Sequence, residues 1–172
     1  MDTETLRNKI DREALLQRAT LLAHGSKCQF IDGFIQTNGV VILKIHFPSY
    51  GNTWAARIPL DQEWPFYEMS VQPLEYLARH HPEIPAPRVH DYVDCGTEEK
   101  NPIGVAYMLV DWVDGSRLEP WSLTEPPVAV RHKVLDQIAD IMLNMLSKNP
   151  ISSDILFYGI PDTIRYTPLL GC

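Results

Sequence analysis

Two positively charged residues, Lys44 and Arg57, lie within consecutive apolar segments of the sequence, Val40–Phe47 and Thr53–Ile58. Arginine keeps its charge and can hold a phosphate group through two parallel hydrogen bonds, whereas lysine acts as a point charge. The chemistry that Arg57 could support is therefore phosphate binding, with Lys44 as the competing cation. Taken without the neighbouring motifs, Arg57 is more typical of a surface arginine on an edge strand.

Periodic apolar patterns predict the elements that would position these cations. Helical spacing is found in three segments: Thr3–Ala23, Gln62–His81 with an interruption at Pro73, and Val128–Lys148. Apolar runs predict five strands: Cys28–Ile35, Val40–Phe47, Thr53–Ile58, Arg88–Asp94 and Ile103–Val113. The order helix, three strands, helix, two strands, helix predicts an α+β fold with a five-stranded antiparallel sheet and one helix packed on it.

Glycine residues in the first two predicted strands are few. Asn38-Gly39 is the strongest hairpin signal of the sequence and predicts a tight turn between these strands. A loop that covers phosphates needs glycines that let backbone N–H groups approach the oxygens, and only Gly33 and Gly39 are available here. Without a G-x-G-x-x-G pattern, the hairpin by itself is typical of an ordinary turn.

Composition and charge restrict the class of protein. The chain has 172 residues, of which 45% are hydrophobic, and this suffices for a domain with a substantial core. The net charge is −7 and no long basic run occurs, so no nucleic-acid partner is expected. The apolar runs are far shorter than a membrane span, so no membrane partner is expected either. The cysteines Cys28, Cys95 and Cys172 are widely spaced, which fits free thiols in a reducing compartment and predicts a cytoplasmic location.

Three blocks of the sequence follow one another in a recognisable order. They are TWAARIPL at Thr53–Leu60, IPAPRV at Ile84–Val89 and NPIGVAYMLVDWVDGSRL at Asn101–Leu118. This order resembles the aminoglycoside phosphotransferase and choline kinase-like enzymes, especially their fungal members, over roughly residues 25–170. The resemblance implies a protein kinase-like N-lobe whose last strand becomes the hinge to a second lobe.

The resemblance further implies how the phosphates of ATP would be held. Arg57 would contact the α- and β-phosphates, and the hairpin with Gly33 and Gly39 would cover them. A glutamate from the helix after the third strand would pair with Arg57. Glu68 and Glu75 are both available for that pair, and Glu68 is favoured.

At the base end, the resemblance implies that adenine would bind to backbone atoms of the hinge. The predicted hinge residues are Val110, Asp111, Trp112 and Val113. The predicted apolar walls of the adenine pocket are Ile42, Ala55 and Leu109.

Phosphate transfer also needs an aspartate that orients the acceptor and ligands for Mg²⁺. In the resembled enzymes the first lies on a loop of the type H-x-D-x-x-x-x-N. None of the four aspartates after residue 130 has asparagine five residues later; these are Asp136, Asp140, Asp154 and Asp162. No DFG-like triplet, HExxH or CxxC pattern occurs, so neither a catalytic nor a metal-binding residue is predicted.

These observations predict three regions: an N-terminal helix over 1–25, a kinase-like N-lobe with its hinge over 26–115, and a linker with a partial helical C-lobe over 116–172. The chain is expected to be a truncated phosphotransferase-like protein, with Mg²⁺ a requirement of the family only. It is expected to be inactive alone. The alternative is a non-catalytic nucleotide-binding or protein-interaction module that self-associates through apolar surface of the partial C-lobe.

Overall fold

A computed structural model describes most of the chain. The described residues are 2–37, 39–63, 65, 67–94, 101–115 and 127–148. The chain divides into two compact units, Met1–Arg117 and Leu118–Cys172, and each is taken by itself. Asn38 of the predicted turn, and 116–126 and 149–172 of the predicted second lobe, lie outside the described residues.

The described residues of the first unit form nine elements. They are α1 (Thr3–Lys9), α2 (Arg12–Leu22), β1 (Gln29–Thr37), β2 (Val40–Phe47), β3 (Asn52–Pro59), a π-helical turn (Tyr67–Val71), α3 (Gln72–His80), β4 (Val89–Val93) and β5 (Tyr107–Asp111). All strand pairs are antiparallel, and the order across the sheet is β1-β2-β3-β5-β4. The predicted α+β class and the single five-stranded antiparallel sheet are therefore confirmed.

The predicted N-terminal helix is wrong in one respect, because it is two helices. Ile10 is extended, and the carboxylate of Asp11 accepts a hydrogen bond from the backbone N–H of Ala14 at 2.9 Å. Asp2 caps α1 in the same way through Thr5, also at 2.9 Å. An aspartate that caps a new helix competes with continuation of the old one, and the apolar stripe alone does not reveal this.

The predicted helix Gln62–His81 begins later than expected. The segment after β3 forms the π-helical turn first, and α3 covers only Gln72–His80. Pro73 occupies the first turn of α3, where a missing backbone N–H costs no intrahelical bond. The predicted interruption at Pro73 is thus the start of the regular helix.

The sheet has two different faces. The rear face packs against Leu6, Ile10, Leu15 and Ala19 of α1 and α2, and consists of Val41, Leu43, Ile45, Ala56, Ile58 and Leu109. The front face consists of Ile42, Lys44, Ala55, Arg57, Met108 and Val110. Val71 and Leu74 from the region of α3 pack against part of the front face. The rest of the front face is where a ligand could bind.

The segment before β5 forms a turn, which the side chain of its first residue, Asn101, stabilises through hydrogen bonds. The side chain of Asn101 accepts from the N–H of Ile103 at 3.1 Å and donates to the carbonyl of Val105 at 2.7 Å. The carbonyl of Ile103 in turn accepts from the N–H of Asp11 at 3.0 Å. The turn therefore joins the start of β5 to the junction between α1 and α2. It also shortens the predicted strand Ile103–Val113 to Tyr107–Asp111.

A partly buried network connects α2 to the sheet. The guanidinium of Arg18 donates to both carboxylate oxygens of Asp91, at 2.8 and 3.0 Å. The hydroxyl of Tyr107 donates to the same carboxylate at 2.6 Å. Burial, and then the bond to Asp91, raise the pKa of Tyr107. The bidentate geometry makes this an unusually directional connection between α2, β4 and β5.

In the second unit, α4 covers Val128–Lys148, as the helical spacing predicts. Many of its apolar side chains are exposed, namely Val128, Val130, Leu135, Ile138, Ile141, Met142, Leu143 and Met145. Within the described residues, no helix combines the length and the apolar character that a membrane crossing requires.

We expect Gly104→Ala to lower the free energy of unfolding by about 2 kcal/mol or more. Gly104 has φ +82°, and an added Cβ would lie 2.8 Å from the backbone oxygen of Lys9. Urea denaturation measures the effect. Gly33→Ala is the control, because Gly33 has no positive φ and nothing within 4 Å of its added Cβ. Equal losses for the two variants would contradict the close approach.

We expect the unfolding free energy to fall above the ordinary tyrosine pKa of about 10, because the folded state holds the Tyr107 proton that the unfolded state releases. The stabilisation is fully present below that pH. Urea denaturation at a series of alkaline pH values should give a smaller slope for Tyr107→Phe than for the wild type. Tyr50→Phe is the control, since Tyr50 is exposed. Identical slopes in all three proteins would contradict the assignment.

Candidate functional site

Two rows of paired residues cross the front face. Residues that pair directly across antiparallel strands present their side chains on the same side of the sheet. In the first row Arg57 lies between Ile42 and Met108, and in the second Ala55 lies between Lys44 and Val110. The structure therefore brings four predicted site residues onto one face: Ile42, Ala55, Arg57 and Val110.

Trp112 lies just beyond the end of β5, next to the second row. Its backbone N–H donates to the carbonyl of Thr53 at 3.0 Å, which continues the pairing with β3. Its side chain packs beside Ala55 and Val110. The indole N–H donates to Asp114 at 2.8 Å. The predicted hinge residue Trp112 thus belongs to the front face through its side chain.

The prediction that Leu109 walls the same pocket is wrong. Leu109 pairs with Ala56 and is fully buried in the rear core with α1 and α2. Side chains alternate along a strand, so Leu109 and its neighbour Val110 must face opposite sides. An apolar run without polar alternation does not indicate from sequence alone which residues face which side.

Arg57 is the most unusual side chain of the front face. Its Nε atom is buried and has no hydrogen-bond partner. A buried donor without a partner costs free energy, and the cost is larger for a charged group. An anion bound beside Arg57 would remove that cost.

The predicted ion pair between Arg57 and Glu68 is not formed. Glu68 lies exposed in the π-helical turn, and neither it nor Glu75 pairs with Arg57. The late start of α3 explains the difference, because Glu68 precedes the regular helix that would aim it at the sheet. In the described part of the chain, no group of three or more His, Cys, Asp or Glu residues is placed to hold a metal ion.

Lys44, the competing cation, already has partners. Its Nζ atom lies 3.0 Å from a carboxylate oxygen of Asp32 and 4.2 Å from the centre of the Trp112 ring. In the part of the chain that the structure describes, the ammonium of Lys44 thus has a carboxylate beside it, whereas Nε of Arg57 has no hydrogen-bond partner. This difference favours Arg57 as the residue that meets an external anion.

Asp111 has a structural role at the hinge. Its carboxylate accepts from the N–H of Arg88 at 3.0 Å and is 2.7 Å from Nε2 of His90. Its own N–H donates to the carbonyl of Arg88 at 3.0 Å. The His90 ring also stacks on Trp54 with centroids 3.9 Å apart. These contacts join the end of β5 to β4 and leave the side chain of Asp111 directed away from the front face.

The last predicted hinge residue, Val113, is exposed. Its N–H follows that of Trp112, which is already bonded to Thr53. Among the described residues, Val113 is the first of the hinge whose N–H has no acceptor. It is accordingly the hinge N–H that a ligand could use.

The two glycines of the hairpin occupy different positions. Gly39 has φ +85° in the turn before β2. Gly33 lies in a bulge of β1, where the register shifts between Ile31 and Ile35. The preceding Asp32 has φ +63°, which is uncommon for a residue with a side chain. The apolar pattern of β1 does not reveal this bulge, because it does not record where the pairing with β2 is interrupted.

Gln62 is a structural residue that the sequence pattern does not reveal. Its side chain accepts from the N–H of Ala106 at 2.7 Å and donates to the carbonyl of Pro59 at 2.6 Å. It thereby joins the end of β3 to the start of β5, beyond the last paired residues. The contact with Ala106 joins residues far apart in the chain, so no local motif predicts it.

Comparisons of the chain with models of protein families, with curated proteins and with solved structures each found no match. The functional interpretation therefore depends on the front face itself. Among the described residues, that face combines an arginine whose buried Nε has no partner, small and branched apolar side chains, and the exposed hinge residue Val113.

Proposed function

We propose that the front face is the nucleotide site of a protein of the aminoglycoside phosphotransferase and choline kinase-like kind. The strand order β1-β2-β3-β5-β4, with a helix between β3 and β4, supports this proposal. So does the position of Ala55 and Arg57, two residues apart on the third strand and on one face. The family activity is ATP-dependent phosphorylation of a small molecule.

The observation that carries the proposal is the buried Nε of Arg57 without a partner. A buried polar group without a partner calls for an explanation, and a bound anion that accepts its hydrogen bond is one such explanation. A phosphate offers several acceptor oxygens and negative charge, which match a guanidinium in geometry and sign. Arg57 would hold the phosphates in this role.

The remainder of the front face suits a flat base. Ala55 is small, so a ring could approach β3 closely there. Ile42 and Val110 lie diagonally beside it and supply apolar contacts. The N–H of Val113 would donate to a ring nitrogen of the base. Aromatic ligands gain most of their affinity from such apolar surfaces with a few placed polar groups.

Binding, and not transfer, is the proposed activity of these 172 residues. Arg57 can position phosphates but cannot orient an acceptor hydroxyl, and the sequence contains no H-x-D-x-x-x-x-N loop. Such groups contribute several powers of ten to the rate. A cytoplasmic location belongs to the same proposal, and the free thiol of Cys28 supports it.

A second candidate function is protein interaction. The exposed apolar side chains of α4, among them Leu135, Ile138 and Met142, favour association. These three residues repeat at helical spacing and so form one stripe. Self-association through α4 would be compatible with nucleotide binding at the front face of the first unit.

We expect ATP to bind to the wild-type protein and to bind about tenfold or more weakly to Arg57→Met, which removes a charge-assisted contact to phosphate. Adenosine should bind equally to both proteins, because it has no phosphate. Isothermal titration calorimetry with ATP, ADP and adenosine measures these affinities.

Arg79→Met is the matched control for this experiment, since Arg79 is exposed in the last turn of α3. Thermal unfolding tests the fold of each variant. Arg57→Met should not lower the midpoint, because Nε of Arg57 has no partner to lose. A loss of ATP affinity in both arginine variants, or a matching loss for adenosine, would contradict the proposed role.

We expect no ATP hydrolysis or phosphate transfer by the purified chain in the presence of Mg²⁺. The physical reason is the absence from the sequence of an aspartate loop that orients the acceptor. Phosphate release is measured against a panel of small molecules with amino or hydroxyl groups. Turnover above the buffer background that disappears in Arg57→Ala would show this expectation to be wrong.

A further inference from the structure

The side chain of Lys44 lies on the front face and meets the ring of the hinge residue Trp112. Its paired residue on β3 is Ala55, and the partner of Ala55 on β5 is Val110. Nζ of Lys44 is nevertheless 4.2 Å from the centre of the Trp112 ring, two residues beyond Val110. β3 separates β2 from β5 by two strand spacings of roughly 4.8 Å each, which is more than a lysine side chain can reach while it also contacts Asp32 on β1. The ring of Trp112 must therefore extend back over β3, beside Ala55, to meet the ammonium.

Both partners of the Lys44 ammonium are themselves held in place. Asp32, at 3.0 Å, lies in the bulge of β1 with φ +63°. The bulge turns this carboxylate towards β2, where Lys44 pairs with Ile31. On the other side, the indole N–H of Trp112 donates to Asp114 at 2.8 Å, which orients the ring. The ammonium is thus held between a carboxylate and the face of an aromatic ring.

This arrangement covers the part of the front face where a base would lie. Ala55 is only 5% exposed and belongs to an apolar cluster with Val71 and Val110, against which the ring of Trp112 packs. The ring of Trp112 would be the natural stacking surface for an aromatic ligand at this point. In the structure the Lys44 ammonium occupies that surface.

We propose that Lys44 is a displaceable cover of the nucleotide site, and that a base binds only when Lys44 leaves the Trp112 ring. This inference rests on the nucleotide function proposed above. A cation–π contact and a surface ion pair are individually weak, so the cover can open readily. Asp32 can retain the ammonium after it leaves Trp112, so opening does not leave an unpaired charge.

The experiment compares wild-type protein with Lys44→Ala, and uses Lys27→Ala as the matched control because Lys27 is exposed before β1. Adenosine is the probe, since it has no phosphates that Lys44 could attract. Removal of the Lys44 side chain should tighten adenosine binding about three- to tenfold. This factor corresponds to the free energy of the cation–π contact and the ion pair, which would no longer compete with the ligand. The affinity for ATP is measured in parallel by calorimetry.

The contact itself is tested without any nucleotide. The indole ¹H–¹⁵N NMR signal of Trp112, assigned with Trp112→Phe, should shift in Lys44→Ala and not in Lys27→Ala. Circular dichroism and thermal unfolding check that each variant is folded. This measurement depends only on the contact between Lys44 and Trp112.

A shifted Trp112 signal together with tighter adenosine binding supports the inference. An unchanged signal, or a shifted signal with equal or weaker adenosine binding, overturns it while nucleotide binding by the wild type still stands. If neither ATP nor adenosine binds to any of the proteins, the proposed function fails, and the inference fails with it. The two failures are therefore distinguishable.

Discussion

The alternation of side chains along β3 is the constraint on which both faces of the sheet depend. Ala56 and Ile58 face the core formed with α1 and α2, while Ala55 and Arg57 face the front. A shift of one residue would exchange these sets and place the guanidinium of Arg57 in the apolar rear core. Burial of that charge would raise the free energy of the folded state by more than any single contact there could lower it. The packing of the rear face thus determines the direction of Arg57.

Two arginines of the first unit, Arg18 and Arg57, differ in the contacts that their guanidinium groups make. Arg18 has a carboxylate in bidentate contact and the additional bond of Tyr107 to the same group. That network stabilises the position of α2 on the sheet. Arg57 has no such partner for its buried Nε, and Lys44, the other cation of the front face, is balanced by Asp32. The charge without an internal partner is the one available to a ligand.

Secondary structure was predicted best where apolar periodicity is strong and local. The strand Val40–Phe47 and the helix Val128–Lys148 have the predicted bounds. Predictions failed where a local capping residue or a long-range contact determines where a helix or strand begins or ends. Asp11 divides the N-terminal helix, and the turn at Asn101 shortens the last strand. Caps and turns depend on single hydrogen bonds, which an apolar pattern does not record.

Within the candidate site, the sequence by itself determined that Ala55 and Arg57 share a face, because residues two apart on a strand point the same way. It also determined that Val110 to Val113 lie at the end of an apolar run. Only the tertiary structure decided that Leu109 faces the rear core, that Glu68 does not reach Arg57, and that Lys44 lies against Trp112. Those outcomes depend on the register between strands and on where α3 begins. Both are set by contacts between residues far apart in the chain, which the order of residues along one strand cannot specify.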